Sequence, residues 1–415
     1  MDGRPLTARR AIHPIVFLAL YLPFGAVSGY LSVALAYQLR KSGVSTAEIA
    51  GLIAFALTPH VFKVLWAPLV DTTFKPKSWY LAGSVVVAAS VALSGTLPLG
   101  PASLAWLGPL VFLLNLATTF VGMAAEILMA HSTTPGQKGQ AGGWSQAGNV
   151  GGAGLGGGAG LWMATHLAAP WIAGAVLGAA ILACSLALLA LPEPSMDHRR
   201  PRYLESLWSV ARDVWSIARS RAGFLALLIF ILPLGTGTAS NLFASISGDW
   251  KASADLVAVV AGVAGGVFAT FGAVAGGYVC DRLERKGAYA LFSAVQGLCA
   301  LGMGLAPHTP SMFIVFALAY AATNGMAYAG FSALTLETIG KGAAATKYNL
   351  LACFSNAPIL YVALIEGQVQ TRWGSTAMLA GEAVLAGIGL AIFGAVALLT
   401  RRRGVQSAVN ATSGA

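Results

Sequence analysis

The sequence has 415 residues, 57% of them hydrophobic and 10% charged, with a formal net charge of +10 and a mean hydropathy of +0.73. Soluble domains carry about 25% charged residues, so this composition cannot cover a water-facing surface and excludes a soluble globular enzyme. The positive charge is not a nucleic-acid signature either, because nearly all of it lies in short gaps between apolar blocks.

Twelve apolar segments are predicted, at 14–37, 47–69, 78–97, 105–130, 142–165, 171–191, 223–247, 255–279, 288–306, 311–336, 347–371 and 376–399. Each is near the length of about 20 residues that spans a bilayer. Each must be a helix, since lipid offers no partner to open backbone groups. The first block is too long for a signal-peptide core and lacks an A-x-A site after it, so it is read as a retained helix. It carries Tyr21, Ser28 and Tyr30.

The second segment contains Thr58, Pro59, His60 and Lys63. Lys63 sits about two-thirds along, too deep for easy exposure. An ionisable group at such depth is a functional candidate by default. Lys63 is expected to bind an anionic substrate or to pair with Glu126, and a structural pair or a snorkelling lysine remains open. The fourth segment adds Asn115, Thr118 and Thr119 before Glu126, which, with His60, is the candidate for proton coupling.

The fifth segment reads GNVGGAGLGGGAG at 148–160 and contains G-x-G-x-x-G at Gly152, Gly154 and Gly157. A dinucleotide fingerprint needs a preceding strand and an acidic residue about 20 positions on. Here the context is apolar on both sides, so no nucleotide cofactor is expected. Gly148, Gly152, Gly156 and Gly160 instead form an i, i+4 stripe, the surface that lets membrane helices approach closely. This helix is expected where two halves of the molecule meet, with static packing and sliding both open.

The break at 192–222 begins with a proline-marked linker and continues as YLESLWSVARDVWSIARSR. Leu204, Leu207, Trp208, Ala211, Val214, Trp215 and Ala218 recur at helical spacing, as in a helix on the membrane surface or a packed linker helix. The break separates an N-terminal half, 1–191, from a C-terminal half, 223–400, followed by a tail at 401–415. An internal echo supports duplication: LPFG at 22–25 and LPLG at 232–235, and Asp71 and Asp281, share one offset of 210. The seventh segment carries Thr236, Thr238 and Asn241, and the tenth Tyr320, Thr323, Asn324 and Tyr328. Glu337, Glu366 and Glu382 lie nearer helix ends and are read as interfacial. The four cysteines form no CxxC pair and are read as packing residues, so no metal is expected.

Placing the N-terminus in the cytoplasm puts 20 Lys and Arg residues on that side and four (Arg40, Lys41, Lys251 and Arg372) on the other, with Lys63 inside the membrane. The sequence thus predicts an all-α polytopic membrane protein of twelve transmembrane helices in two pseudo-symmetric six-helix halves. Both ends face the cytoplasm, in the cytoplasmic (inner) membrane.

The segment GGYVCDRLERKGAY at 276–289 spaces Gly277, Asp281, Arg282, Arg285 and Lys286 as G-x-x-x-D-R-x-x-R-K, with Glu284 where a second Gly is usual. It resembles the cytoplasmic loop of the major facilitator superfamily. The first-half copy, APLVDTTFKPK, keeps Asp71, Lys75 and Lys77. The resemblance implies the major facilitator fold, a conformational latch in these loops, and a central cavity lined by helices 1, 4, 7 and 10. It also implies a small-molecule substrate, proton coupling and a monomer. The stretch LTPHVFKVLWAPLVD at 57–71, with Pro59, Lys63, Trp66, Pro68, Leu69 and Asp71, resembles muropeptide permeases of the AmpG type and related acetyl-CoA-transporter-like proteins. So do GVSTAEIAGL at 43–52 and ATKYNLLACFSN at 345–356.

The implied function is secondary active transport of a small or medium organic solute. The solute carries an anionic group and includes cell-wall sugar-peptides among its candidates. Substrate contacts are expected at Lys63, Tyr30, Asn115, Thr119, Asn241, Asn324 and Tyr328. A drug or metabolite exporter of the same fold, and a non-transporting membrane sensor or assembly factor, are the alternatives. No Walker motif, HExxH or GxSxG is present, so neither ATP drive nor an enzyme is expected.

Overall fold

The computed structural model describes residues 12–96, 98–132, 138–193, 218–280, 282–339 and 344–413, together with isolated positions between 205 and 216. All regular structure among them is helical. The path is α1 (Val16–Lys41), α2 (Thr46–Leu65), α3 (Pro76–Ser94), α4 (Leu104–Ser132), α5 (138–166), α6 (170–190), α7 (Arg221–Ile231 and three short turns to Trp250), α8 (254–280), α9 (Arg285–Leu305) and α10 (Pro310–Ile339). A last helical run, Ala344–Ser413, is broken at Gly374 (φ 81°, ψ 176°) into α11 and α12.

Nine described stretches are long and apolar enough to cross a membrane. The last, Leu350–Leu399, has 50 residues, about 75 Å as a straight helix, more than twice a hydrocarbon core of ~30 Å. It is therefore two crossings folded at Gly374. Two further helices complete the twelve: α5, whose glycines dilute its hydropathy, and α7, which is interrupted. The helix starts follow local chemistry. Ser45 and Glu48 form a capping box at α2, with Glu48 N–H donating to Ser45 Oγ (3.2 Å) and Ser45 N–H to Glu48 Oε2 (2.9 Å). Pro76, Pro170 and Pro310 open α3, α6 and α10, where a missing N–H costs nothing.

Equivalent helices pair in equivalent ways. In the first half α1 packs on α5, α2 on α4 and α3 on α6. In the second, α7 reaches α11, α8 packs on α10 and α9 on α12. The α1–α5 crossing is backbone on backbone. A Cβ at Gly148, Gly152 or Gly156 would collide with the carbonyl oxygens of Leu18, Leu22 and Ala26, and one at Gly25 with that of Asn149. A Cβ at Gly160 would stand at an ordinary contact distance from Ala34 Cβ (3.4 Å). The predicted stripe thus serves packing within the first half.

A different face of α5 meets the second half. Gly158 abuts Ala258 and Val263, and Gly154 abuts Gly262, all on α8. α2 meets α11 where Gly367 fits against Ala47 and Ala50. The first turns of this seam lie at the end of the bundle that carries Gly43 and Gly374, here called the hairpin end; the other is the tail end. At the hairpin end His166 Nε2 lies 3.5 Å from Asp255 Oδ1, with side chains 42% and 62% exposed. So exposed a pair contributes at most about 1 kcal/mol. Asp255→Asn is expected to lower stability by no more than that in thermal unfolding. The wild type in ~1 M salt, where the screening length is about 3 Å, should behave as the variant does.

The linker predicted at 192–222 falls mostly outside the described residues. Of those described, Trp208 and Trp215 are exposed, and the Arg219 guanidinium stands 5.2 Å over the Trp215 ring.

Candidate functional site

The breaks in α2 and α7 position the polar groups. In α2, Pro59 and Pro68 bracket Lys63 and cannot donate to the carbonyls four residues before them. The helix accordingly ends at Phe62 (φ −100°, ψ 7°), tightens into a 3₁₀ turn over Lys63–Leu65 and restarts as Ala67–Thr72. Lys63 is half-buried at that break. Interrupted membrane helices are where transporters place binding groups, because unwound backbone survives only against protein or a cavity.

Around this break α4 supplies a fixed polar set. Asn115 Nδ2 donates to Val111 O (2.9 Å), which turns its Oδ1 toward His60 Nε2 (3.1 Å). That orientation assigns the imidazole proton to Nε2. Trp66 Nε1 donates to Thr119 Oγ1 (2.9 Å), and Thr119 donates in turn to Leu116 O (2.7 Å). The Phe24 ring of α1 meets His60 edge-on at 5.4 Å and lies over Gly122. The opposite half closes the neighbourhood. Asn356 Nδ2 of α11 donates to His60 O (3.4 Å), and the Cys353 thiol rests on the backbone of Lys63 and Val64 within electrostatic reach of Lys63 and Glu126.

The second-half break spans Leu232–Gly237. Its Pro233 matches Pro23, yet α1 stays helical through Leu22–Gly25 while α7 opens. Gly235 (φ 59°) and Gly237 (φ 65°) adopt left-handed conformations that α1 does not require. Tyr361 and Tyr289 donate to the freed carbonyls of Ile231 (2.7 Å) and Leu234 (2.8 Å). Gly237 lies against the carboxamide of Asn324, which accepts from Gln296 Nε2 (3.3 Å). Gly237→Ala adds left-handed strain and a collision with Asn324. It is expected to destabilise by about 2 kcal/mol, seen as a fall in Tm, whereas Gly381→Ala, whose Cβ meets nothing, should melt as the wild type does.

The predicted residues therefore fall into groups. Lys63, His60, Asn115 and Thr119 come together at the α2 break, with Glu126 half-buried further along α4. Asn324 stands at the α7 break, Asn241 is half-buried in the turns that follow, and Tyr328 is 54% exposed. Tyr30 is elsewhere: it is buried between α1 and α3, its hydroxyl 2.6 Å from Ser94 Oγ. At the tail end Gly277 is open on its Cβ side, Arg282 is exposed, and Arg285 and Lys286 are half-buried. Asp281 lies outside the described residues; Asp71 is placed in Ala67–Thr72, but its side chain is not described.

Two glutamates read as interfacial are not. Glu366 and Glu382 are 1% and 5% exposed. The signal that reveals them is Gly374, eight residues after one and eight before the other. A hairpin folded there brings both to the same depth.

The Major Facilitator Superfamily profile matches residues 15–363. The anhydromuropeptide permease of Escherichia coli (strain K12) is 26% identical over 373 residues, covering 86% of this chain and 74% of its own. Among solved structures, the D-xylose-proton symporter aligns with TM-score 0.68 at 14% identity, over 90% of this chain and 96% of that one. A mutant of the nucleoside transporter NupG aligns with TM-score 0.70 at 12% identity, over 92% and 98%. These structural likenesses establish the fold. With the profile covering most of its length, the chain belongs to the major facilitator superfamily and is a secondary transporter of an organic solute, not an enzyme.

Proposed function

We propose that the protein carries an organic solute with an anionic group, of the cell-wall sugar-peptide class, across the cytoplasmic membrane together with protons. One observation carries the reading: a lysine at a proline-bracketed helix break, beside neutral hydrogen-bonding groups and at the contact between the two halves. Lys63 anchors the anion; His60, Asn115 and Thr119 address hydroxyl and amide groups. Asn241, Asn324 and Tyr328 meet the solute from the second half. Glu126 and His60 exchange the proton. The sequence likeness to the anhydromuropeptide permease supports the substrate class, and the 20-to-4 charge asymmetry supports cytoplasmic termini.

Residues 1–191 and 223–400 act as the two rocking bodies of a monomer, with 192–222 as linker and 401–415 as tail. The halves touch both at the hairpin end and at the α2 break, and opening at the tail end parts the second of these contacts. Asp71, Gly277, Asp281, Arg282, Arg285 and Lys286 latch the alternative state there.

The test is uptake of anhydromuropeptides into proteoliposomes under an inward proton gradient. Saturable accumulation that a protonophore abolishes is the expected result. Accumulation indifferent to the gradient would remove proton coupling. A protein that neither transports nor is thermally stabilised by muropeptides would remove the substrate class.

A further inference from the structure

The buried acidic pair of the second half lies away from the Lys63 site, enclosed by α9, α10, α11 and α12. Glu366 projects from α11 and Glu382 from α12, within electrostatic reach of each other. The Tyr320 hydroxyl of α10, itself fully buried, donates to Glu382 Oε1. Both oxygens of Glu366 and Oε2 of Glu382 are buried and have no hydrogen-bond partner among the described residues. Neither carboxylate forms an ion pair there.

Among the described residues the other titratable group facing the pair is the Cys299 thiol of α9, next to Glu382. From α7 comes the Phe243 ring, 5.1 Å from that of Tyr320. α2 presents Ala47 and Ala50 against Gly367, the neighbour of Glu366, and its Glu48 is turned back to Ser45. Nearer the hairpin end, Asp249 accepts from Ser375, and His308 Nε2 lies 3.4 Å from Thr376 Oγ1 while its ring lies 4.4 Å from that of Trp250.

An isolated carboxylate ion in such surroundings costs far more than a neutral acid, and two near each other cost more again. Three of the four oxygens lack the donors an ion would need. We propose that Glu366 and Glu382 form a proton-binding site, separate from the Lys63 site, that holds a proton while the halves are closed at the hairpin end. The proton resides on Glu366, which has no donor; Glu382 has Tyr320. Release follows from position. Glu366 precedes Gly367, where α11 touches α2, so parting of the halves brings water to its carboxyl and lets the proton leave. The coupling role rests on the transport reading above, whereas proton binding does not and can be tested without a solute.

The experiment is difference infrared spectroscopy of the purified full-length protein at neutral pH, in H₂O and D₂O, with Glu366→Gln and Glu382→Gln. The wild type is expected to show a protonated-carboxyl carbonyl band that shifts in D₂O. Glu366→Gln should remove a component of that band and melt no lower than the wild type, since glutamine mimics the neutral acid. A band unchanged in both variants would overturn the proposal. So would a glutamine variant that fails to fold or melts far lower, because the neutral form would then be the wrong one. Stabilisation of the wild type by sodium over choline, absent in both variants, would assign the site to a metal cation and overturn it as well. Loss of the band in Glu366→Gln from protein that transports nothing would sustain the proton site while the transport reading fails.

Discussion

Gly152→Leu is expected to lower the yield of folded protein sharply and to reduce its Tm. The Gly152 Cβ position falls on the Leu22 carbonyl and close to the Ala26 backbone nitrogen of α1. Ordinary overpacking, relieved by side-chain motion, costs about 1–3 kcal/mol. Here the obstacle is the backbone of a helix that is also gripped through Gly25, Gly148 and Gly156, so neither partner can yield alone. The expected loss exceeds about 3 kcal/mol, against a typical total stability of about 5–15 kcal/mol. Gly151→Leu, one residue away where a Cβ meets nothing, is the control and should retain yield. Monodisperse protein after solubilisation, followed by Tm, is the measurement. A Gly152→Leu variant that melts with the wild type would show that α1 and α5 are not in backbone contact.

Lys63→Ala is expected to lower transport on the order of a hundredfold while leaving folded yield intact. Removing one member of a desolvated charge interaction costs about 2–5 kcal/mol, and each 1.4 kcal/mol is about tenfold. Truncation to alanine keeps the backbone, including the Lys63 carbonyl that accepts from Trp66 N–H (3.2 Å) in the 3₁₀ turn. The effect should fall on KM, since the lysine anchors the anionic group. A solute analogue lacking that group should be carried equally, and poorly, by both proteins. Loss of transport for both analogues in proportion would move Lys63 from binding to the conformational step.

Much of this was legible because membrane sequence rules are strict. Apolar block length marked the crossings, but 47–69 reads as one segment, and that α2 breaks at Lys63 between Pro59 and Pro68 emerges only in the fold. The glycine stripe at 148–160 announced close packing but not its partner. Several faces of α5 are glycine, and only the fold separates Gly152, which meets α1, from Gly158, which meets α8. Tyr30 looked like a cavity residue because a tyrosine in an apolar helix must satisfy its hydroxyl, and nothing local identifies Ser94, 64 positions away, as the partner. Glu366 and Glu382 were misplaced for a related reason. Distance from a helix end sets a residue's depth, but not whether it faces outward: the polar stretch GQVQTRWGST at 367–376 marks the hairpin, yet nothing in it tells that both carboxylates turn inward. The opening of α7, against the continuity of α1 at the matching LPFG, depended on Gly237 and on two tyrosines remote in sequence.

The glycine-on-glycine contact of Gly154 and Gly158 with α8 bears on kinetics. Interlocked side chains would act as a ratchet, with each step waiting for rotamers to vacate their notches. Along this track the Val263 methyl is the side chain that stands against Gly158, with backbone at Ala258 and Gly262, so relative motion meets few discrete stops. The rate of interconversion should then have a shallow Arrhenius slope and scale with bilayer viscosity. Bulk grafted at Gly158 or Gly262 would steepen it.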